Sequence, residues 1–509
     1  MSVSAGALLD STPILVGAGQ VVEREANDIS PMALASQAAV NAIKDCEATG
    51  GAAVIAKAID TICVTKLFSD MGRLWAGKCG RSDNPPESIA TCIGASPDHR
   101  IYTETGGNQP QSRLIEFARA IARGERSVVL MAGAEAIKNQ RHAERNKREL
   151  DWSEHFDKTL DDRGFGKVSA TSQEIKNGLN NVVYYYSLIE QAQRHTAGLS
   201  VEEHRYAMAR LLESFSAVAA DNPYAQFAGS QRAEEILAAP AMTHLYSKRM
   251  IAQDGVNQGA ALLMCSIGKA RQLGIPEARW IYLHGLAEGS ELEVTRRPNL
   301  GVSPMAGMVV DKALATAGIT IADIDLIDIY SCFPCAVTSV AAHLGLPIDG
   351  SRQLTLTGGL PYFGGPGNNY SMHALAEAVW QARGKADSFA MVTANGGMLS
   401  KHASGIYSRK PSSIDWANTE TLISSDELPA CKVCADPQSG FIISYTVHHD
   451  REGGAHAIIV GQTINGERFV SRTAKDDNET AFAMLAQDPT GKKVKVTASD
   501  DERIYFQLG

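Results

Sequence analysis

Two glycine-rich turns stand where a strand runs into a helix: TGGNQP (105–110), containing Gly107 and Asn108, and GGPGNN (364–369), containing Gly365 and Pro366. The first N–H groups of a helix lack partners within it, so such a turn presents donors and partial positive charge to a phosphate or an oxyanion. Glycine lets the backbone approach a ligand closely; the other reading is that these glycines only make tight turns. YSCF (330–333) and TANGG (393–397) add Tyr330, Cys332, Thr393 and Asn395. Cys332 is a candidate nucleophile, and its thiolate character decides whether it reacts or sits inert. Cys332/Cys335 and Cys431/Cys434 have the spacing of a four-thiolate zinc site, but they fall in different parts of the chain, and no metal centre is expected. Cys332-Phe-Pro-Cys335 also has redox-dithiol spacing. His373 and His402 could face a pocket or be structural, and His448, His449 and His456 flank DREGG, which reads as a solvated turn.

These residues need elements to hold them. PILVGAGQV reads as a buried strand, PMALASQAAVNAIK (31–44) as a helix with proline in its first turn, and AIDTICVT (58–65) as a strand. Residues 99–136 read strand, glycine turn, helix, strand. The order returns: SPMAGMVVDKALATAG (303–318) repeats the SPMA of 30–33, ITIADIDLIDIYSCF (319–333) parallels the second strand, and 353–397 reads strand, TGG, helix, Ala-Arg-Gly turn, strand. Alternating strands and helices predict a parallel sheet covered on both faces. We read a duplicated α/β unit; the alternative is that any two such units look alike. Residues 139–246 are charged and helical in pattern, an insertion of the kind that forms a lid or pocket wall, with Ser200 and Glu203 as a capping box.

The 509 residues carry 21% charged and 44% hydrophobic side chains and a net charge of −9, which indicates two or three globular units and disfavours nucleic acid or an anionic membrane as partner. No apolar run approaches the ~18 residues of a membrane span. MSVSAGALLDSTP lacks the regions of a secretory signal, and nine cysteines fit a reducing compartment, so a cytoplasmic location is expected.

Over residues 10–405 the chain resembles the thiolase superfamily, whose members bind acyl-CoA and make or break a carbon–carbon bond by acyl transfer to a cysteine. Residues 234–266 resemble the segment closing the N-terminal half of the sterol-carrier-protein thiolases. YSCF stands where that group has His-Asp-Cys-Phe, PYFGGPG (361–367) where thiolases have Gly-His-Pro, and TANGG where they have Cys-x-Gly-Gly. The resemblance implies a five-layer αβαβα fold. It also puts Gly107 at the nucleophile's position, Gly365 at the histidine's, Thr393 at the acid/base cysteine's and Tyr330 at that of the residue holding a catalytic water; Phe333 is retained. Ordinary ping-pong acyl transfer is then absent, and what remains is Cys332, with Tyr330 as a donor to a thioester oxygen. CoA or acyl-CoA is the expected ligand, with no resident cofactor, and the protein is an acyltransferase-like handler of acyl-CoA or a non-catalytic binder of it. YFGGPGNNYSMHA and NGGMLSKHA resemble the type 1 thiolase-like proteins, a group carrying the name acetyl-CoA acetyltransferase and an additional C-terminal domain.

The tail fits that picture. From residue 428 it reads as short strands with a tight turn at Asn465-Gly466 and one helix, NETAFAMLA, and predicts a five-stranded barrel of the oligonucleotide/oligosaccharide-binding type. Its nine basic and eleven acidic side chains argue against nucleic acid. The expected division is therefore 1–270 and 271–427 as the two thiolase-like halves, with 139–246 as the helical insertion, and 428–509 as the barrel, in a monomer or homodimer.

Overall fold

The computed structural model describes residues 8–72, 75–385, 387–426, 428–449, 453–499 and 502–509. The first half contains strands β1 (Pro13–Val22), β2 (Thr61–Val64), β3 (His99–Tyr102), β4 (Val128–Ala136) and β5 (Asn257–Ser266), with helices α1 (Pro31–Asp45), α2 (Gln109–Ala122), α3 (Val182–Ala197) and α4 (Val201–Asp221). The second half contains β6 (Ile281–Ser290), β7 (Ile324–Asp328), β8 (Phe389–Gly396) and β9 (Lys401–Ser408), with α5 (Pro304–Ala317), α6 (Pro334–Leu344) and α7 (Tyr370–Gly384). The helices begin where local chemistry says they should. Ser30 and Ser303 each accept a bond from the amide three residues on, Ala33 and Ala306, and Pro31 and Pro304 occupy the first turn.

The strands run β3-β2-β4-β5-β1 in the first half and β7-β8-β9-β6 in the second, joined by two residue pairs between β1 and β6. The pairing senses match in the two halves. β2 is parallel to β4 as β7 is to β8; β4 is antiparallel to β5 as β8 is to β9; β5 is antiparallel to β1 as β9 is to β6. The sheet is therefore mixed, which corrects the parallel sheet expected from alternating strands and helices: β4 and β5, like β8 and β9, neighbour each other in opposite directions. Helices α2 and α7 lie between the half-sheets and touch strands of both, while α1 and α5 cover the outer faces, making five layers. The eight buried residues opening β1 follow from cover on both sides.

One expected strand is missing. Residues 353–357, read as the counterpart of β3, form no ladder. Ile329 donates to Leu354 O (2.9 Å), and the Asp328 carboxylate accepts from Leu356 N (2.7 Å), Thr357 N (3.3 Å) and Thr355 Oγ1 (3.0 Å). A side chain thus supplies acceptors that a neighbouring strand otherwise would, and buried N–H groups require one or the other.

The insertion is helical only in part: residues 146–171 hold no helix, while Ser200 and Glu203 close the capping box at the start of α4. The tail forms a closed barrel of β10 (Ser439–His449), β11 (Ala455–Gln462), β12 (Arg468–Arg472), β13 (Lys493–Ala498) and β14 (Ile504–Leu508) in the order β10-β11-β12-β14-β13. Its interior is filled by Ile442, Tyr445, Val447, Phe469, Val494, Val496 and Phe506. The Asn465-Gly466 turn is present, with Gly466 at φ 84°. The barrel packs against the insertion: Ser444 Oγ donates to Leu188 O (2.6 Å), Thr446 Oγ1 to Ser187 Oγ (2.9 Å), and Ile458, Val460 and Val470 join the main apolar core. His448 is not in a solvated turn; its ring stacks on Tyr184 of α3 at 4.2 Å. Residues 450–452 of DREGG lie outside the described residues. Among the described residues, no helix is long and apolar enough to cross a membrane.

Candidate functional site

Five of the residues singled out by sequence meet where the halves join. Gly107 precedes α2, and Tyr330 and Cys332 follow β7. Thr393 and Asn395 lie two apart on β8 and so on one face of it. A Cβ added to Gly107 would fall 2.6 Å from Asn395 O and 2.7 Å from Tyr330 Cζ, with the Tyr330 hydroxyl nearer still. The space of a side chain at 107 is therefore occupied by the phenol. Thr393 Oγ1 accepts the Tyr330 backbone N–H (3.1 Å), and Tyr370 meets the Tyr330 ring edge-on at 5.3 Å.

Asn395 Nδ2 donates to Tyr186 Oη (2.7 Å) and lies 3.6 Å from Cys332 Sγ; its Oδ1 is buried without a partner. Tyr186 in turn accepts from Leu399 N (3.0 Å) and donates to Gly397 O (3.2 Å). Burial pushes the Cys332 thiol up to about 11, although Tyr186 and Asn395 pull the other way. It is a neutral thiol at pH 7, not a ready nucleophile. Burial likewise raises Tyr330 well above the usual phenol range.

The second glycine turn closes the site from the other side. Asn368 Oδ1 accepts from Gly106 N (3.0 Å), and Ser371 Oγ donates to Gly107 O (2.7 Å), so the start of α7 is bolted to the start of α2. Gly365 donates to Gln253 O (2.8 Å), and the adjoining Ala252 donates to Cys332 O (2.9 Å). Around Gly365 the nearest atom to an added Cβ is 3.4 Å away, which is ordinary contact. Pro366 uses its carbonyl on Asn369 N (2.9 Å) to begin the helix. Asn108 is turned elsewhere: Nδ2 bonds Ser112 Oγ (3.1 Å), and Oδ1 is buried against the glycine backbones of 106 and 396.

The histidines take no part. Burial lowers His373 and His402 to about 3; the first bonds Gln20 Oε1 (2.6 Å) and the second Ser303 Oγ (3.0 Å). Among the described residues all nine cysteines are free, and no group of three or more His, Cys, Asp or Glu is arranged for a metal. A cleft of about 310 Å³ at the edge of β3 is lined by His99, Arg100, Arg126 and Arg163, away from the motif residues, and two of its arginines are engaged by Glu87 and Glu116.

Sequence reasoning missed Tyr186 and Asp328. Tyr186 stands in a Tyr-Tyr-Tyr run of the insertion with no motif around it, and its contact with Asn395 spans 209 residues. Asp328 was legible only as the polar end of a strand.

The comparisons with known proteins agree with this architecture. The family model of the thiolase-like protein type 1 additional C-terminal domain matches residues 421–502. The crystal structure of a monomeric SCP2-thiolase-like protein type 1 from Mycobacterium smegmatis is 36% identical, covering 99% of this chain and 100% of that one, with a TM-score of 0.83. The dimeric peroxisomal thiolase of Saccharomyces cerevisiae is 13% identical, covering 78% of this chain and 98% of that one at a TM-score of 0.57, a likeness of fold alone. An acetyl-CoA acetyltransferase of Chromobacterium violaceum is 32% identical over 147 residues, which is 28% of this chain; the match spans 35% of that relative's length.

Proposed function

Since this chain belongs to the SCP2-thiolase-like proteins of type 1, we propose that it binds a CoA thioester between its two halves and forms no acyl-enzyme at position 107. The observation that carries the reading is the Tyr330 hydroxyl in the space of a side chain at Gly107. In the thiolase pattern that position bears the nucleophile, and here neither sulfur nor room for it is present. Gly365 brings no imidazole, and Thr393, which accepts the Tyr330 amide, has a hydroxyl too weak as acid and base to replace a thiol near neutral pH. The donors that the site offers a thioester are neutral: a phenol and a thiol that stay protonated. Such groups hold and polarise a carbonyl oxygen, and polarisation without a nucleophile gives binding rather than turnover. Direct acyl transfer without an acyl-cysteine at 107 is the second reading, favoured by the placement of Cys332 beside Asn395. The monomeric state of the Mycobacterium smegmatis relative is proposed for this chain as well.

Calorimetry with CoA, acetyl-CoA and longer acyl-CoA esters, run beside a thioester-absorbance assay, tests this. Binding without turnover is expected. Turnover that vanishes in Cys332→Ala would replace the first reading with the second, and absence of binding across all chain lengths would remove both.

A further inference from the structure

Tyr186 comes from neither half of the core. It lies on α3 in the insertion, yet its hydroxyl is the hub of the loop that ends β8: Asn395 Nδ2 at 2.7 Å, Leu399 N at 3.0 Å and Gly397 O at 3.2 Å. Its ring stacks on Phe333 at 4.1 Å and 12° between planes, one residue from Cys332. The hydroxyl has a single proton, directed to Gly397 O, so Asn395 must turn its NH₂ toward it. That settles which way the Asn395 amide faces and leaves Oδ1 free within the site.

The other side of α3 belongs to the barrel. Ser187, next to Tyr186, is bonded by Thr446; Leu188 O accepts from Ser444; Tyr184 stacks on His448. Helix α3 is thus clamped between β10 and α6, with Tyr186 reaching past α6 to the site.

We propose that Tyr186 is a positioning residue that orients Asn395 and Cys332, and that the barrel takes part in the site by fixing the helix that carries it. The proposal rests on the thioester-binding reading for what the site does, but its test does not need a ligand. The titratable groups facing Cys332 are Tyr186 from α3, Tyr330 beyond β7 and Cys335 from α6. Tyr186→Phe removes the acceptor that holds Asn395 Nδ2 3.6 Å from Cys332 Sγ, so the thiolate loses the fixed donor beside it.

The experiment uses the full chain and measures iodoacetamide alkylation of Cys332 against pH by peptide-resolved mass spectrometry. Tyr186→Phe is expected to slow alkylation near pH 9–10 about tenfold by moving the profile to higher pH, as loss of a hydrogen bond to a charged group does. Tyr185→Phe is the control, since that hydroxyl points to Glu174 (3.4 Å); it should leave the profile in place. Thr446→Val, on the barrel side, should move it in the same direction by a smaller factor, and it carries the test if Tyr186→Phe does not fold. An unchanged profile in both Tyr186→Phe and Thr446→Val, or an equal shift in Tyr185→Phe, would overturn the proposal. Because no ester is added, a failure here is distinct from a failure to bind CoA thioesters.

Discussion

The two glycine turns occupy equivalent places in a repeated unit and have opposite surroundings. At Gly107 the room for a side chain is taken by Tyr330 and the Asn395 carbonyl; at Gly365 a methyl would meet only ordinary contacts. The first glycine is required by its neighbours, the second is not. The halves differ in the same sense at their edges: the first completes its sheet with β3, while the second replaces that strand by a loop held on one carboxylate, Asp328. The two halves share pairing sense along the strands they have in common, and they differ at the sheet edge, in the insertion and in the groups around the join. A side chain can stand in for a strand because the backbone needs an acceptor, whatever its source.

The comparison can be broken most severely at Asp328. Asp328→Ala leaves the amides of Leu356 and Thr357 buried without acceptors and should cost about 3 kcal/mol or more in urea unfolding. A loss near zero would mean that the loop is not held by the carboxylate. Gly107→Ala comes next, at about 2 kcal/mol of overpacking, and Tyr330→Phe in the same chain should recover part of it, since the Asn395 carbonyl still crowds the methyl. Full stability in Gly107→Ala would refute the account of that site.

Buried carboxylates sharpen the contrast through pH. Burial raises Asp328 in the second half to about 6 and Glu135, at the end of β4 in the first, to about 8. Both lie above their unfolded values, so each favours folding fully at low pH, and that advantage is lost as pH rises to the folded value. Stability should fall between about pH 4.5 and 8 by up to about 1.4 kcal/mol per unit from Glu135. Glu135→Gln should flatten the melting-temperature curve over that span, whereas a curve as steep as before would exclude Glu135 as its source. The smallest effect is expected at Gly365→Ala, within about 0.5 kcal/mol of the parent. If Gly365 lines the ligand site, acyl-CoA affinity drops in this variant while the melting temperature stays.

Much of this was legible in one dimension. Ser200 with Glu203, Ser30 before Pro31, and Asn465-Gly466 carry their structure locally, because caps and turns are settled by residues within three or four positions. The repeat was legible too, as was the barrel, whose strands alternate and whose connections are short except for the one that holds the NETAFAMLA helix. The mixed sheet was not, because alternation of strand and helix does not say which neighbour a strand chooses. Nor was the missing strand at 353–357, since QLTLT has a strand's composition and only the nearby carboxylate diverts its hydrogen bonds.

Residue identity determined the chemistry available: no side chain at 107, no imidazole at 365, a hydroxyl at 393 and a thiol at 332. Tertiary structure decided what those groups do. Tyr330 fills the place of Gly107's absent side chain, Thr393 accepts the Tyr330 amide, and burial keeps Cys332 protonated. Tyr186 enters from an insertion 209 residues away from Asn395. Desolvation and steric exclusion depend on what is packed within a few ångströms, and that neighbourhood is assembled by segments whose separation along the chain carries no local signal.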